Sequence, residues 1–361
     1  MATLALSPSQ QNGTHTMASF GNIVQTERGS VNVKDANRSS LDTYVIPSLF
    51  DKHKPTWTRP PSHWTSRCHP LVEHVSRQTD DYFLGHWPFP TDKARKTYLK
   101  AGFSRVTCLY FPLARDDRIQ YACRLLTVLF LIDDLLEDMS LEEGRRYNEH
   151  LMPFMRGQLA PDRSKPVEYI LYDLWQEMRV HDAVLADEIL EPTFVFMRSQ
   201  TDKSRLEMKG VGNYLAYRES DVGKALLSAL MRFSMDLRMS SHEIDALQPI
   251  EQNCARHISV VNDIFSWEKE VRASNTGDSE GAVLCSAVRV LSEELAIGIE
   301  ATKRVLWTAV REWELVHEQL TNTLLQNDAT MRMKAYAKGL EFQMSGNEQW
   351  SSTTLRYHNV S

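Results

Sequence analysis

The stretch "IQYACRLLTVLFLIDDLLEDM", residues 119–139, decides how the rest of the chain is read. It is apolar nearly all round before it meets Asp133, Asp134, Glu137 and Asp138. A helix without a polar face must be covered on every side, which predicts the centre of a helical bundle. On a helix, positions i and i+4 share a face, so Asp133 aligns with Glu137 and Asp134 with Asp138. Like charges at that spacing repel, and a helix C-terminus adds an unfavourable field. Two readings follow: the helix emerges into water here, or a cation sits at its end. Hard carboxylate oxygens suit Mg²⁺.

Working outward, helical spacing continues in both directions from about residue 66. Apolar residues in "LVEHVSRQTDDYFLGHW" recur at helical intervals, and Thr91 is placed to N-cap "DKARKTYLKAGFSRV". Ser140 with Glu143, and Ser240 with Glu243, match capping boxes. Further helices are predicted over 164–181, 184–200, 211–237 and 244–271, and again beyond a polar, Gly-containing loop, "RASNTGDSEGA", at 272–282. Strand-like alternation never persists, and neither an internal repeat nor a Gly-rich phosphate loop occurs. One all-α domain over 61–361 is the economical architecture. Residues 1–60, rich in Ser, Thr, Asn, Gln and Pro with weak patterning, are expected to form a disordered or extended arm.

The 361 residues carry a formal net charge of −6, with 42% hydrophobic and 24% charged residues. That supplies a large core and no global basic field, so neither nucleic acid nor an acidic membrane is an expected partner. An anionic ligand must be held by local cations or metals. The five cysteines are widely spaced with no CxxC, no run approaches a membrane span, and the first residues lack a basic signal-peptide region. A cytoplasmic protein with reduced thiols is expected. Assembly into a homo-oligomer stays open.

A second oxygen-rich pattern lies in "VVNDIFSWEKE", residues 260–270. Asn262, Ser266 and Glu270 fall at i, i+4 and i+8, on one helical stripe, and can together chelate one hard cation; Asp263 points elsewhere. Asn and Ser are also ordinary helix-surface residues. Arg218, Lys269 and the pair Arg356–Tyr357 acquire meaning from the two acidic patterns. Two metal-binding faces call for a multivalent anion between them, and diphosphate is the natural one, with Arg binding bidentately and Lys as a point charge. Phe130, Phe196, Trp350 and Tyr110 are aromatic faces that could stabilise a carbocation, or simply core packing.

"FLIDDLLED" at 130–138, "NDIFSWEKE" at 262–270 and "RY" at 356–357 together resemble the class I sesquiterpene cyclases of fungi. The likeness extends through 106–137, 189–202, 217–235, 280–288, 301–307 and 338–350, nearly the whole chain from about residue 60 to 357. The resemblance implies a helical bundle around a deep apolar cavity, farnesyl diphosphate as substrate, and three Mg²⁺ ions. It implies Asp133 as the principal ligand of the acidic motif, with Asp134 and Glu137 in support, and Asn262, Ser266 and Glu270 as the opposing ligand set. Arg218, Lys269, Arg356 and Tyr357 fall on the diphosphate-binding positions. Phe130, Phe196 and Trp350 fall on the cavity aromatics, with Tyr110 nearby as a conceivable proton donor. The implied product is a bicyclic sesquiterpene formed through germacrene A, with release of diphosphate. The fifth position of the acidic motif departs from the family pattern, being Glu137 rather than Asp. The loop at 272–282 and the Arg356–Tyr357 segment are candidates for a closing lid. A chain-elongating prenyltransferase is disfavoured because a second Asp-rich cluster is missing, and "RDDRI" at 115–119 does not restore one. A non-enzymatic scaffold would leave both acidic patterns unexplained.

Overall fold

The computed structural model describes residues 57–276, 279–326 and 329–358. The arm expected over 1–60 lies outside the described residues except at its last few positions. Thr58–Ser361 form one compact unit. Its helices in chain order are α1 (Val72–His86), α2 (Asp92–Ala101), α3 (Phe103–Tyr110), α4 (Ile119–Leu136), α5 (Leu141–Arg156), α6 (Pro166–Asp187) and α7 (Leu190–Ser199). They continue with α8 (Val211–Asp221), α9 (Lys224–Met235), α10 (Ser241–Thr276), α11 (Ala287–Leu295), α12 (Ile299–Leu325), α13 (Met331–Ser351) and α14 (Leu355–His358). Among the described residues there is no β-strand, and no helix is long and apolar enough to cross a membrane.

The apolar run that leads into the acidic cluster is α4, and it is buried as its composition requires: Ile119, Ala122, Leu125, Val128 and Ile132 are all fully covered. α4 packs on α3, α3 on α13, and α13 on the 36-residue α10, so the two oxygen-rich patterns face inward from one bundle. The α3–α13 contact needs glycine. A Cβ at Gly346 would stand 2.4 Å from the carbonyl oxygen of Leu109. The caps form as predicted: the Thr91 hydroxyl accepts from Ala94 N–H, and both Ser140–Glu143 and Ser240–Glu243 close reciprocal capping boxes.

The structure divides helices that periodicity joins. The segment 91–106 breaks at Gly102, and 211–237 breaks at Gly223; both adopt positive φ, +65° and +70°, a conformation that glycine reaches without a Cβ penalty. The segment 184–200 restarts at Leu190, with Pro192 in the first turn of α7, where its missing N–H goes unmissed. The separation expected near 182 is a kink at Asp182, whose carboxylate accepts from Leu185 N–H and from Arg118 and Arg238. The polar loop is shorter than its composition suggests, because α10 continues helically to Thr276.

Candidate active site

A cavity of about 220 Å³ opens between α3, α4, α5, α7, α8, α9, α10, α13 and α14. Successive turns of α4 take its wall from apolar to acidic: Leu126, Leu129 and Phe130 line it, then Asp133 and Glu137. The stripe predicted on α10 faces it with Asn262, Ser266 and Glu270, and Lys269 joins them. Tyr110, Phe196, Arg218, Trp350, Arg356 and Tyr357 complete the predicted set on the lining. Asp134 is the exception. It turns to Arg356, which grips both carboxylate oxygens at 2.6 and 3.2 Å. Asp138 is exposed.

The electrostatics of the two acidic patterns follow from crowding. About 42% of the Asp133 side chain is accessible, at the lining of the cavity. Burial, with Glu137 and Asp134 alongside, pushes its carboxyl up to about 6. Burial raises Asp134 as well, but the Arg356 guanidinium outweighs it and holds that carboxyl below the usual range. Burial and then the charge of Asp263 push Glu270 up to about 7. Carboxyls that resist ionising are sites where added positive charge is most strongly rewarded.

The donor set fits hard divalent ions. Asp133, Asp134 and Glu137 each offer an oxygen, all within 4.8 Å of one another. Across the cavity stand the Asn262 amide oxygen, the Ser266 hydroxyl, which donates to Glu270 Oε1 at 2.5 Å, and the Glu270 carboxylate. Gln200 holds Asp133 by donating to Oδ1 at 2.8 Å, while its own amide oxygen is buried with no partner. Oxygen donors without nitrogen or sulfur select Mg²⁺-like ions over softer metals.

Three of the cations around the rim, Arg356 among them, are clasped. Lys269 Nζ meets Glu137 Oε1 at 2.5 Å. Arg218 donates to Asp221, to Asn262 Oδ1 at 2.9 Å and to Asp263 Oδ1 at 3.2 Å. Tyr357 accepts from the Asn262 amide at 2.7 Å, so α14 is tied to the α10 stripe. The turn after α10 closes on the acidic end of α4. Gly281 N–H donates to Met139 O, Ser279 donates to the Glu137 carbonyl, and Leu141 N–H donates to Glu280. A Cβ at Gly281 would lie 2.0 Å from Leu136 O.

The aromatics form one stack. Phe103 covers Phe130 face to face at 4.5 Å, and Trp350 tilts against Phe130 at 6.1 Å and meets Tyr357 edge-on at 5.4 Å. Trp350 is also tethered, its indole N–H reaching Ala101 O. Cavity wall and core packing are therefore one arrangement here, not alternatives. Tyr110 donates its hydroxyl to Asn347 at 2.7 Å, and burial pushes its phenol well above the ordinary value, which makes it a poor acid. Sequence reasoning missed Gln200, Arg205, Asp221 and Asn347, which also line the cavity. Single polar residues on separate helices carry no spacing signal; only "SQTD" following the apolar α7 marks one of them.

This is the architecture of a class I terpene cyclase, an apolar cavity in an all-α bundle with facing acidic and Asn/Ser/Glu clusters. The model of terpene synthase family 2, C-terminal metal binding, matches residues 124–314, and the chain belongs to that family. It is 60% identical over 316 residues to the aristolochene synthase of Penicillium roqueforti, covering 87% of this chain and 92% of that protein. It is likewise 60% identical over 299 residues to the aristolochene synthase of Aspergillus terreus, covering 82% and 93%. The crystal structure of the P. roqueforti aristolochene synthase matches with a TM-score of 0.74 at 58% identity, over 82% of this chain and 100% of that one. Hedycaryol synthase in complex with nerolidol matches at 0.65 with 19% identity, a likeness of fold alone.

Proposed function

We propose that the chain converts (2E,6E)-farnesyl diphosphate to aristolochene through germacrene A, releasing diphosphate, with Mg²⁺ as its metal and three ions as the full complement. One observation carries this reading: a single cavity joins an aromatic wall to two facing sets of oxygen donors. Asp133, with Glu137 beside it, and the stripe Asn262, Ser266 and Glu270 would hold the metal. When bound, the divalent ions supply positive charge that offsets the departing diphosphate.

The residues of the chain do the rest. Arg218, Lys269, Arg356 and Tyr357 present N–H and O–H donors around the place where negative charge grows on the leaving oxygens. Each of those cations is now paired to a carboxylate, so an incoming anion exchanges one partner for another rather than meeting a bare charge. The farnesyl chain lies among Leu126, Leu129, Phe130, Phe196 and Trp350, which admit no water that would turn a carbocation into an alcohol. Faces of Phe130 and Trp350 favour positive charge on the folded chain. Tyr110, locked to Asn347 and reluctant to ionise, shapes the cavity; the proton that germacrene A takes up comes from elsewhere, with the diphosphate as the group of suitable acidity. The turn at 279–282 and the segment carrying Arg356 and Tyr357 close the mouth. A cytoplasmic site of action accords with five unpaired thiols.

Purified protein supplied with farnesyl diphosphate and Mg²⁺ should release diphosphate and one major C15 hydrocarbon, identified by gas chromatography with mass detection. Release of neither rejects the enzyme; a different hydrocarbon retains the cyclase and rejects the product.

A further inference from the structure

Four described cations line the cavity: Arg205, Arg218, Lys269 and Arg356. Three are committed to carboxylates. Lys269 is on Glu137, Arg356 on Asp134, and Arg218 on Asp221 and Asp263. No carboxylate among the described residues lies within ion-pair distance of Arg205. One of its Nη1 hydrogens goes to the backbone carbonyl of Gln200, and its Nε–H is buried without any partner. A guanidinium carries five N–H donors in a planar fork, so most of this one's capacity is unspent. Burying such a group uncompensated is costly, and a site that retains it does so where an anion will arrive.

Its position is as telling as its freedom. Arg205 sits in the short 3₁₀ turn Lys203–Glu207, close enough to Asp133 and Asp221 to feel both charges without touching either. The residue whose carbonyl it holds, Gln200, is the one that orients Asp133. Arg205 thus stands on the acidic side of the cavity, beside the principal predicted metal ligand. The other three cations must each break an ion pair to reach an anion; this one need not.

We propose that Arg205 is a diphosphate-binding residue, the rim cation already free to receive the substrate's phosphate oxygens before the clasped pairs open. The proposal rests on the cyclase reading above for the identity of the anion. It also assigns an order. Arg205 engages first, and exchange at Lys269, Arg356 and Arg218 follows, which draws α10 and α14 onto the bound anion.

The test uses the full-length protein with Mg²⁺ and inorganic diphosphate, followed by calorimetry, with farnesol as a neutral probe of the apolar cavity. Arg205→Gln should weaken diphosphate binding at least about tenfold and raise KM for farnesyl diphosphate, with farnesol affinity unchanged. Arg205→Lys, which keeps charge and reach but loses the fork, should fall between, several-fold weaker than the parent protein. Added guanidinium ion should partly restore diphosphate binding to Arg205→Gln, which a purely structural role would not allow. Diphosphate affinity within twofold of the parent in both variants overturns the proposal, and so does an equal loss of farnesol affinity. If Arg205→Gln fails to fold, Arg205→Lys decides alone. Failure of the parent protein to bind diphosphate at all would instead reject the cyclase reading.

Discussion

α10 carries two buried polar clusters on opposite faces, built from similar residue types and serving opposite ends. On its cavity face, Asn262, Ser266 and Glu270 look toward Asp133 and Glu137. On its rear face, His257 lies 3.6 Å from Glu314 of α12, and Arg311 joins Glu314 at 2.5 Å to Glu348 of α13, which it grips through both oxygens at 2.7 and 2.8 Å. The rear carboxylates have their cation. Burial acts to raise Glu314, but His257 and Arg311 outweigh it and hold the group below its usual value. On the cavity face, Asp133 has Arg356 no nearer than 3.9 Å and Glu270 has no cation among the described residues within ion-pair distance, and these two carboxyls rise. Residue type does not separate a structural cluster from a functional one; the completeness of charge pairing does. The completed cluster fastens three helices together, while the incomplete one waits for ions.

That contrast can be broken most sharply at Asp133. Asp133→Asn should lower turnover on the order of a thousandfold, the upper end for loss of one preorganised electrostatic partner, with the helical circular dichroism intact. Full activity would remove Asp133 from the ligand set. The mirror experiment is Arg311→Met, which removes the cation bonded to both Glu314 and Glu348. With Arg59 still 3.4 Å from Glu348 and His257 3.6 Å from Glu314, it should cost about 3 kcal/mol in denaturant unfolding, with near-normal turnover per folded molecule. If turnover falls and stability does not, the rear cluster is functional and the contrast fails. Gly281→Ala forces the turn off the end of α4; it should reduce turnover about tenfold, with a smaller change in melting temperature, because the turn closes the mouth rather than the core. Unchanged kinetics would mean that this closure is not needed.

The smallest effect tests how dry the rear face is. His317, beside Trp64, is held neutral down to about pH 4 by burial, and nearby His257 and Lys224 act in the same direction against Glu318 and a hydrogen bond to Ala337. The unfolded chain binds the proton near 6.5, so between these values it holds more protons than the folded one, and stability is lost as pH falls. Unfolding free energy should drop by about 1 kcal/mol from pH 6.5 to 5.5 on this account, and His317→Asn should remove that component. An unaltered slope in the variant would assign the pH response to other groups.

Much of the site was legible because its chemistry is local. Asp133 with Glu137, and Asn262 with Ser266 and Glu270, lie on single helices, where a spacing of four is a geometric statement. The capping boxes at Ser140 and Ser240 were legible for the same reason. Helix interruptions at Gly102 and Gly223 were not, since a glycine inside a helical pattern is tolerated as often as it breaks one, and the choice depends on what packs there. The aromatics could not be assigned to cavity or core, because Phe130 serves both, stacked on Phe103 on one side and open to the cavity on the other.

By itself the sequence determined the all-α class, the burial of α4 and the two oxygen-rich stripes, because helical periodicity converts spacing along the chain into position on a face. Only the tertiary structure decided which charges would be paired. Asp134 went to Arg356, 222 positions away, and Glu137 to Lys269, 132 away, while Asp133 went to a glutamine, with Arg356 no nearer than 3.9 Å, and Arg205 to no carboxylate among the described residues. Those partnerships join separate helices, and no local pattern encodes them. They exist because nine helices converge on one cavity, where each charge must find a partner or wait for one.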